Sequence, residues 1–487
     1  MIKMTNFIIA IFLSILFFYG LNKISLTNIL KDIGNEVLQC FQLLLDKSSS
    51  DLQKEKNLRE RSKKILIKVL EFFFKLILLL LFFIIFIFIF DNFNIVSKEL
   101  LIKTLFSAEY LITISIIFFI LAIQVKKNNK KKGLDNFSLG DKFIHYFAFS
   151  SPIVLKFFYN LEEFLIKDKL KDDNYKIIFI TTLARGGSTA LLNAINTSNA
   201  VSCHTYREMP FLTMPNLWNF ISGGKKRSVE KIHRAHADGH KIDLDSPEAF
   251  EEVIWKIFWP EKYNTSKIDI INENFQNKNF KRFFTNHIKK IIQLKNKNKK
   301  NYFKKNLYYC SKNNNNFTRI KYLKNLYPDS FIIIPIREPL GHANSLLKQH
   351  INFSYIQKKN KFILDYMTDI GHYEFGLNHR PFDFNKFNLN NYDKNSINYW
   401  LEYWICSYSL IFENYDKCIF VSLEDLVNSP NLSMKIIFKK IGLEQSDLDF
   451  SNYFKKNEND LTIVNFNQDL YDQAFKIYNK IIQLKIT

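Results

Sequence analysis

Residues 176–196 read Lys-Ile-Ile-Phe-Ile-Thr-Thr-Leu-Ala-Arg-Gly-Gly-Ser-Thr-Ala-Leu-Leu-Asn-Ala-Ile-Asn and set a cation, two glycines and two hydroxyls between apolar runs. Arg185, Gly186, Gly187, Ser188 and Thr189 are the types that bind an anion: backbone amides that can turn inward, hydroxyl donors and a guanidinium fork. Phosphate and sulfate groups suit such a set. A second set lies downstream, where Arg337-Glu338-Pro339 is followed by Ser345, eight residues after the arginine. Both sets need elements to hold them. Ile177 to Ile180 reads as a buried strand and Ala190 to Ile195 as the helix after it. Phe331 to Ile336 reads as another strand, and Pro339 suits the first turn of a helix, where its missing N–H has no partner to lose. In an open α/β sheet ligands sit beyond the carboxyl ends of the strands, so the two sets can face one ligand. The expected fold class is therefore α/β, a parallel sheet flanked by helices. A Walker A loop would need a longer span and a Gly-Lys-Ser/Thr ending.

These motifs together resemble the sulfotransferase family. That family pairs a 5′-phosphosulfate loop of the type Arg-Ser-Gly-Thr-Thr with a later Arg-Asp-Pro and a serine at the spacing seen here. Lys312-Asn313-Asn314, ahead of Tyr327-Pro328-Asp329, is similar to its Lys-x-Pro…Phe-Pro-Asp stretch. Val421 to Leu426 resembles its Tyr-Glu-Asp-Leu strand end. The resemblance runs from Lys176 to Leu443. Departures are Gly187 and Ser188 in the loop, Leu423 for tyrosine, and Asn313-Asn314 for proline.

The resemblance implies a P-loop-like fold and transfer of a sulfuryl group from 3′-phosphoadenosine 5′-phosphosulfate (PAPS) to a hydroxyl or amine. Arg185, Gly186, Gly187, Ser188 and Thr189 would hold the 5′-phosphosulfate, with Arg185 stabilising charge at the transferring group. Lys312 would contact the donor, and Arg337 and Ser345 would hold its 3′-phosphate. No metal is required, and no Cys/His cluster has ligand spacing. In several glycan and protein sulfotransferases a glutamate just past the second strand deprotonates the acceptor. With Ala200 to Cys203 as that strand, Glu208 is the first candidate and His204 the second. The structural alternatives are an ion pair for Glu208 and a satisfied loop histidine for His204.

Other polar clusters carry less. Lys225-Lys226-Arg227 reads as a solvated face. His372, Glu374, His379 and Arg380 could line an acceptor pocket or form a structured loop. Trp255 with Trp259, and Trp400 with Trp404, stand at helical spacing that suits core packing.

The N-terminal third has another character. Phe7 to Leu21, Leu76 to Phe90 and Leu105 to Val125 are strongly apolar, which predicts up to three membrane spans within residues 1–132. Lys54, Lys56, Arg59, Arg61, Lys63 and Lys64 precede the second, and five lysines within 126–132 follow the third. The positive-inside tendency then places the catalytic part on the cytoplasmic face of a bacterial inner membrane; a eukaryotic enzyme would face the Golgi lumen. Residues 133–173 read as an amphipathic connector with Phe143, Tyr146, Phe147, Phe157, Phe158 and Phe164 on its apolar face. Residues 174–450 form the catalytic α/β domain with a helical insertion at about 211–305, and residues 451–487 a helical tail.

The net charge of +21 lies largely in Lys126–Lys132 and Lys289–Lys305, which suits anionic lipid and a polyanionic donor rather than nucleic acid. The reading is a membrane-bound sulfotransferase whose partners are membrane lipids and whose acceptor is a lipid, glycolipid or envelope glycan. A P-loop phosphotransferase and a non-catalytic membrane scaffold with a degenerate nucleotide fold are the alternatives.

Overall fold

Ile177, Ile178, Phe179 and Ile180 are apolar at consecutive positions, the pattern of a strand covered on both faces. In the computed structural model they belong to β1 (Tyr175–Ile180), the central strand of a parallel sheet. The structure describes isolated positions between 9 and 40, and residues 51–93, 96–107, 109–110, 139–166, 174–222, 232–233, 241–264, 266–275, 277–296, 307–384, 392–444, 448–455 and 465–486. Two units are distinguished, Met1–Asn129 and Lys130–Thr487.

In the second unit the sheet also contains β2 (Val201–Ser202), β3 (Leu307–Lys312), β4 (Phe331–Ile336) and β5 (Ile419–Ser422), in the order β2-β3-β1-β4-β5. Period-two alternation divides β1 between two cores. Ile177 and Phe179 pack with α8 (Lys278–Asn296), α9 (Pro339–Lys359) and α10 (Ile397–Phe412). Ile178 and Ile180 pack with α5 (Ser188–Ile195) and α11 (Pro430–Ile441). Helices therefore cover both faces, as the fold class requires. The four tryptophans singled out above are buried in the first core.

Register sets the height of the ligand edge. Ile180 lies opposite Lys312 on one side and Ile333 on the other, and β4 continues three residues further to Ile336. The ladder extends past β1, with Thr181 N–H donating to Ile333 O at 3.0 Å and Asn313 N–H to Ile180 O at 3.1 Å. Arg337 is thereby raised above the β1 loop.

The connector region contains α3 (Leu139–Ala148) and α4 (Pro152–Ile166). Phe158 points inward, against Phe211 in an edge-to-face contact, while Phe157 and Phe164 are exposed; the Phe143 side chain lies outside the described residues. The insertion contributes α6 (Pro215–Ile221), α7 (Glu252–Phe258) and α8. The tail helix α12 (Gln468–Ile482) packs on α10, and Ile486 N–H donates to Phe420 O in β5.

In the first unit, α1 (Asp51–Asn92) is followed by α2 (Lys98–Leu105). Within α1, Asn57–Asn92 is long and apolar enough to cross a membrane, with 6% of its most apolar window buried. Lys75 and Glu71, the charges that interrupt this stretch in the sequence, form an i, i+4 ion pair at 2.6 Å. The other two expected spans, Phe7 to Leu21 and Leu105 to Val125, lie mostly outside the described residues, as do Lys225-Lys226-Arg227 and the 126–132 lysines.

Candidate active site

The β1 loop bends through two left-handed residues, Arg185 (φ 69°) and Gly187 (φ 93°). Glycine tolerates that conformation, whereas arginine adopts it at a cost of about 1–2 kcal/mol. The surroundings fix it. His342 donates from Nε2 to Ala184 O at 2.7 Å, and Arg337 Nη1 donates to Arg185 O at 3.4 Å. Space is short as well: a Cβ on Gly186 would lie 2.9 Å from Thr182, and one on Gly187 2.7 Å from Leu423 Cδ1. Leu423 is thus the residue against the loop. The loop ends on α5, whose first-turn amides and positive dipole end are those expected to face an anion.

The second set arrives from β4. Glu338 caps α9 by accepting from Leu340 and Gly341 N–H at 3.0 and 2.7 Å, with Pro339 in the first turn. Its own N–H donates to Glu424 Oε1 at 3.0 Å, so the end of β5 steadies the Arg337 turn. Ser345 Oγ then accepts from Arg185 Nε at 3.3 Å. Arg185, Arg337 and Ser345 form one cluster at adjacent strand ends. Ser345 is buried and both arginines are half-buried.

Ser188 Oγ donates to Asn314 Oδ1 at 3.1 Å, and Asn314 Nδ2 donates to Glu374 Oε1 at 3.1 Å. The asparagine run is therefore specific. Asn313 donates to Glu252 at 2.8 Å, and Asn316 to Glu251 at 3.0 Å. From the 371–381 stretch, Glu374 reaches this row. His379 bridges Tyr399 OH and Tyr373 O, His372 contacts Ala249 O, and Arg380 donates to Tyr263 O.

Beneath lies a buried polar floor. Lys312 Nζ is 3.4 Å from Glu248 Oε1, Glu251 accepts from Ser311 Oγ, and Glu252 takes a bidentate fork from Arg319 at 2.8 and 2.7 Å. Burial pushes Glu251 up. Burial acts on Glu252 in the same sense, but Arg319 and further donors outweigh it, and its pKa is lowered.

Glu208 and His204 belong to a neighbouring cluster. The Glu208 carboxylate closes a capping box with Thr205, accepting from its N–H and hydroxyl, and lies 3.4 Å from Lys295 Nζ. Burial raises its pKa against the opposing pull of Lys295. His204 and His287 meet at 2.9 Å between Nε2 atoms, and burial lowers the His204 pKa to about 3. Tyr206 OH donates to Glu248 at 2.9 Å, so Glu248 links this turn to Lys312 at the end of β3. Arg207 pairs with Asp245 instead of Glu208.

Reading the sequence alone misses His342, Asn314 as a bridge, and Glu248, Glu251 and Glu252 as the floor. Spacing could have found His342, which stands three residues before Ser345 and so on the same helical face. The carboxylates sit in an unremarkable Ser-Pro-Glu-Ala-Phe-Glu-Glu run with no spacing signal. Among the described residues, no group of three or more His, Cys, Asp or Glu could hold a metal.

No curated protein sequence matches this chain. Solved structures similar to it include the sulfotransferase STF1 from Mycobacterium tuberculosis H37Rv, with 12% identity and a TM-score of 0.40 over 75% of this chain and 90% of that one. Another is the sulfotransferase STF9 from Mycobacterium avium, with 10% identity and a TM-score of 0.41 over 71% and 86%. The model of the sulfotransferase family matches residues 178–379, a stretch that holds the β1 loop, the β3 end and the Arg337–Ser345 turn. Over that stretch, from β1 to His379, the chain is similar to the sulfotransferase family.

Proposed function

We propose that this protein moves a sulfuryl group from PAPS to a hydroxyl or amine of a lipid, glycolipid or envelope-glycan acceptor, at the cytoplasmic face of the membrane it spans. The observation that carries the donor assignment is the Arg185–Ser345 hydrogen bond with Arg337 over the Arg185 carbonyl, which unites two anion-binding sets. The donor supplies an activated sulfuryl group and two separated phosphates. Backbone amides of 187–189 and the Ser188 hydroxyl hold the 5′ end, Gly186 shapes the loop by donating its N–H to Leu183 O, and Arg185 opposes charge that develops on the transferring group. Arg337 and Ser345 take the 3′-phosphate, the feature absent from ATP. Lys312 sets the floor of the site through Glu248.

The acceptor must lose a proton as its oxygen or nitrogen attacks the sulfur. Glu208 is assigned that role, supported by its raised proton affinity and by the Thr205 and Lys295 contacts that fix it. His204, neutral and stacked on His287, is the second candidate. The exposed apolar helix Asn57–Asn92 supports a membrane location, and the basic segments beside the apolar stretches support the orientation.

The deciding experiment compares binding of PAP, the desulfated donor product, with ATP to the full-length protein in detergent. PAP is expected to bind selectively, and Arg337→Ala to weaken it about ten- to a hundredfold, the worth of a charge-assisted contact of about 1.5–3 kcal/mol. Glu208→Gln is expected to keep PAP affinity while turnover on a membrane-lipid extract falls. Equal or ATP-preferring binding, indifferent to Arg337, would replace this reading with the phosphotransferase.

A further inference from the structure

Helix α4 is inverted relative to an ordinary surface helix. Its two carboxylates point inward: Glu162 accepts from Leu217 N–H at 2.6 Å and pairs with the fully buried Lys290 at 3.2 Å, while Glu163 accepts from Asn286 at 2.9 Å and Arg282 at 3.2 Å. Leu155, Phe158 and Tyr159 fill the same inner face. The outward positions carry Ile153, Phe157, Phe164 and Leu165, with Ile153 78% and Phe164 84% exposed. Lys156 is the sole charge among the exposed, described positions of α4. Tyr146 and Phe147 on α3 are exposed too, and Phe220 on α6, the helix whose Leu217 amide holds Glu162, is 78% exposed. Acids within and aromatics without is the wrong sense for a helix facing water.

We infer that this aromatic face is seated in the headgroup region of the membrane, so that the catalytic unit lies on the bilayer rather than hanging from a tether. The absence of carboxylates from the outward face of α4 and the presence of Lys156 match an anionic lipid surface. Phenylalanine rings suit the acyl boundary, and the Lys156 ammonium, 5.2 Å from the Phe258 ring, stands beside them as the charge for a phosphate. Connectivity argues for lipid over another protein. By sequence, α3 begins within fourteen residues of the end of the apolar Leu105–Val125 stretch, beyond a run of lysines. The inference rests on the membrane location proposed above and is independent of the sulfuryl chemistry. Its consequence is that the site is held at the height of lipid headgroups, where a lipid-borne acceptor presents its hydroxyl.

The full-length chain in nanodiscs of phosphatidylcholine with about a quarter phosphatidylglycerol tests this by spin-label depth measurement. Nitroxides are placed on Ile153→Cys and Phe164→Cys, with Leu432→Cys, also exposed but on α11, as the control. Collision with oxygen relative to a nickel chelate is expected to be several-fold higher at both sites than at the control. Equal ratios at all three positions would overturn the inference. Labels shielded from both reagents and broadened by a second nitroxide would overturn it in favour of a second copy of the chain. Carbonate washing of membranes, run alongside, keeps the membrane location separate: a chain that resists the wash while its labels stay in water retains its anchor and loses this docking face.

Discussion

Arg319 and Arg337 lie in one domain and could hardly be used more differently. Arg319 is fully buried, forks onto Glu252, also touches Tyr263, and lies over the Trp255 ring at 4.3 Å. Arg337 is half-buried at the strand end, with its guanidinium over the Arg185 carbonyl. The floor of the site is charge matched to charge, whereas the rim gathers cations and amide dipoles at adjacent strand ends. The contrast teaches that charge count does not locate an anion site. What marks it is cationic and N–H donors converging at adjacent strand ends, as at 185–189 and 337–345.

The largest effect is expected at the floor. Arg319→Ala strands the buried Glu252 carboxylate, and removal of one partner from a buried pair costs about 3–5 kcal/mol. Thermal unfolding of the full-length protein in detergent should register that loss, while Arg337→Ala, which gives up its bond to the Arg185 carbonyl, costs less and acts chiefly on PAP affinity. An Arg319→Ala protein as stable as the parent would break the division between floor and rim. Replacing both members, as in Arg319→Met with Glu252→Gln, should recover much of the loss because no charge is then buried alone.

A smaller effect separates the two regions by pH. His342 at the rim is fully buried, and burial first, then the nearby Arg337, lowers its pKa to about 3, with its bond to the Ala184 carbonyl opposing. The folded state therefore excludes a proton that the unfolded chain takes up near its ordinary value of about 6.5. Stability contributed by neutral His342 is present above that value and is lost on acidification, by up to about 1.4 kcal/mol per pH unit. His204 acts in the same sense, while Glu208 and Glu251, raised by burial, act in the opposite one. The difference between parent and His342→Asn is thus the diagnostic. The variant is expected to lose less stability between about pH 6.5 and 4, and parallel curves for the two proteins would refute the assignment.

How much of this was legible beforehand follows from the physics of each part. Strands β1 and β4 and the helices after them were readable because consecutive apolar residues and an N-terminal proline are local signals. Arg337 and Ser345 were readable as a pair because one helix fixes their spacing. The floor was not, since Glu248, Glu251 and Glu252 meet residues 311–319 only through the tertiary fold. Nor were the partners of the asparagines readable: Asn313, Asn314 and Asn316 each have a separate carboxylate or hydroxyl partner supplied by the tertiary fold. Glu208 was chosen by position after a strand; its capping box with Thr205, three residues away, is a local signal, whereas its Lys295 contact joins residues 87 apart in sequence.

The smallest effect is the sharpest test of how the rim is set. Gly187 combines a φ of 93° with a site where a Cβ would meet Leu423 Cδ1 at 2.7 Å. Gly187→Ala should cost about 1–2 kcal/mol from the left-handed backbone alone. The side-chain encounter adds less, because the tip of a leucine can turn away. Adding Leu423→Ala removes the encounter and leaves the backbone term, so the double variant should recover only a minor part of the lost stability. PAP affinity should follow the backbone as well, since the amides of 187–189 point where φ at Gly187 directs them. Full recovery in the double variant would mean that Leu423, where the family carries tyrosine, sets the loop by contact. The rim would then be shaped by packing from β5, as the floor is shaped by its carboxylates, and the distinction between the two regions would narrow to charge alone.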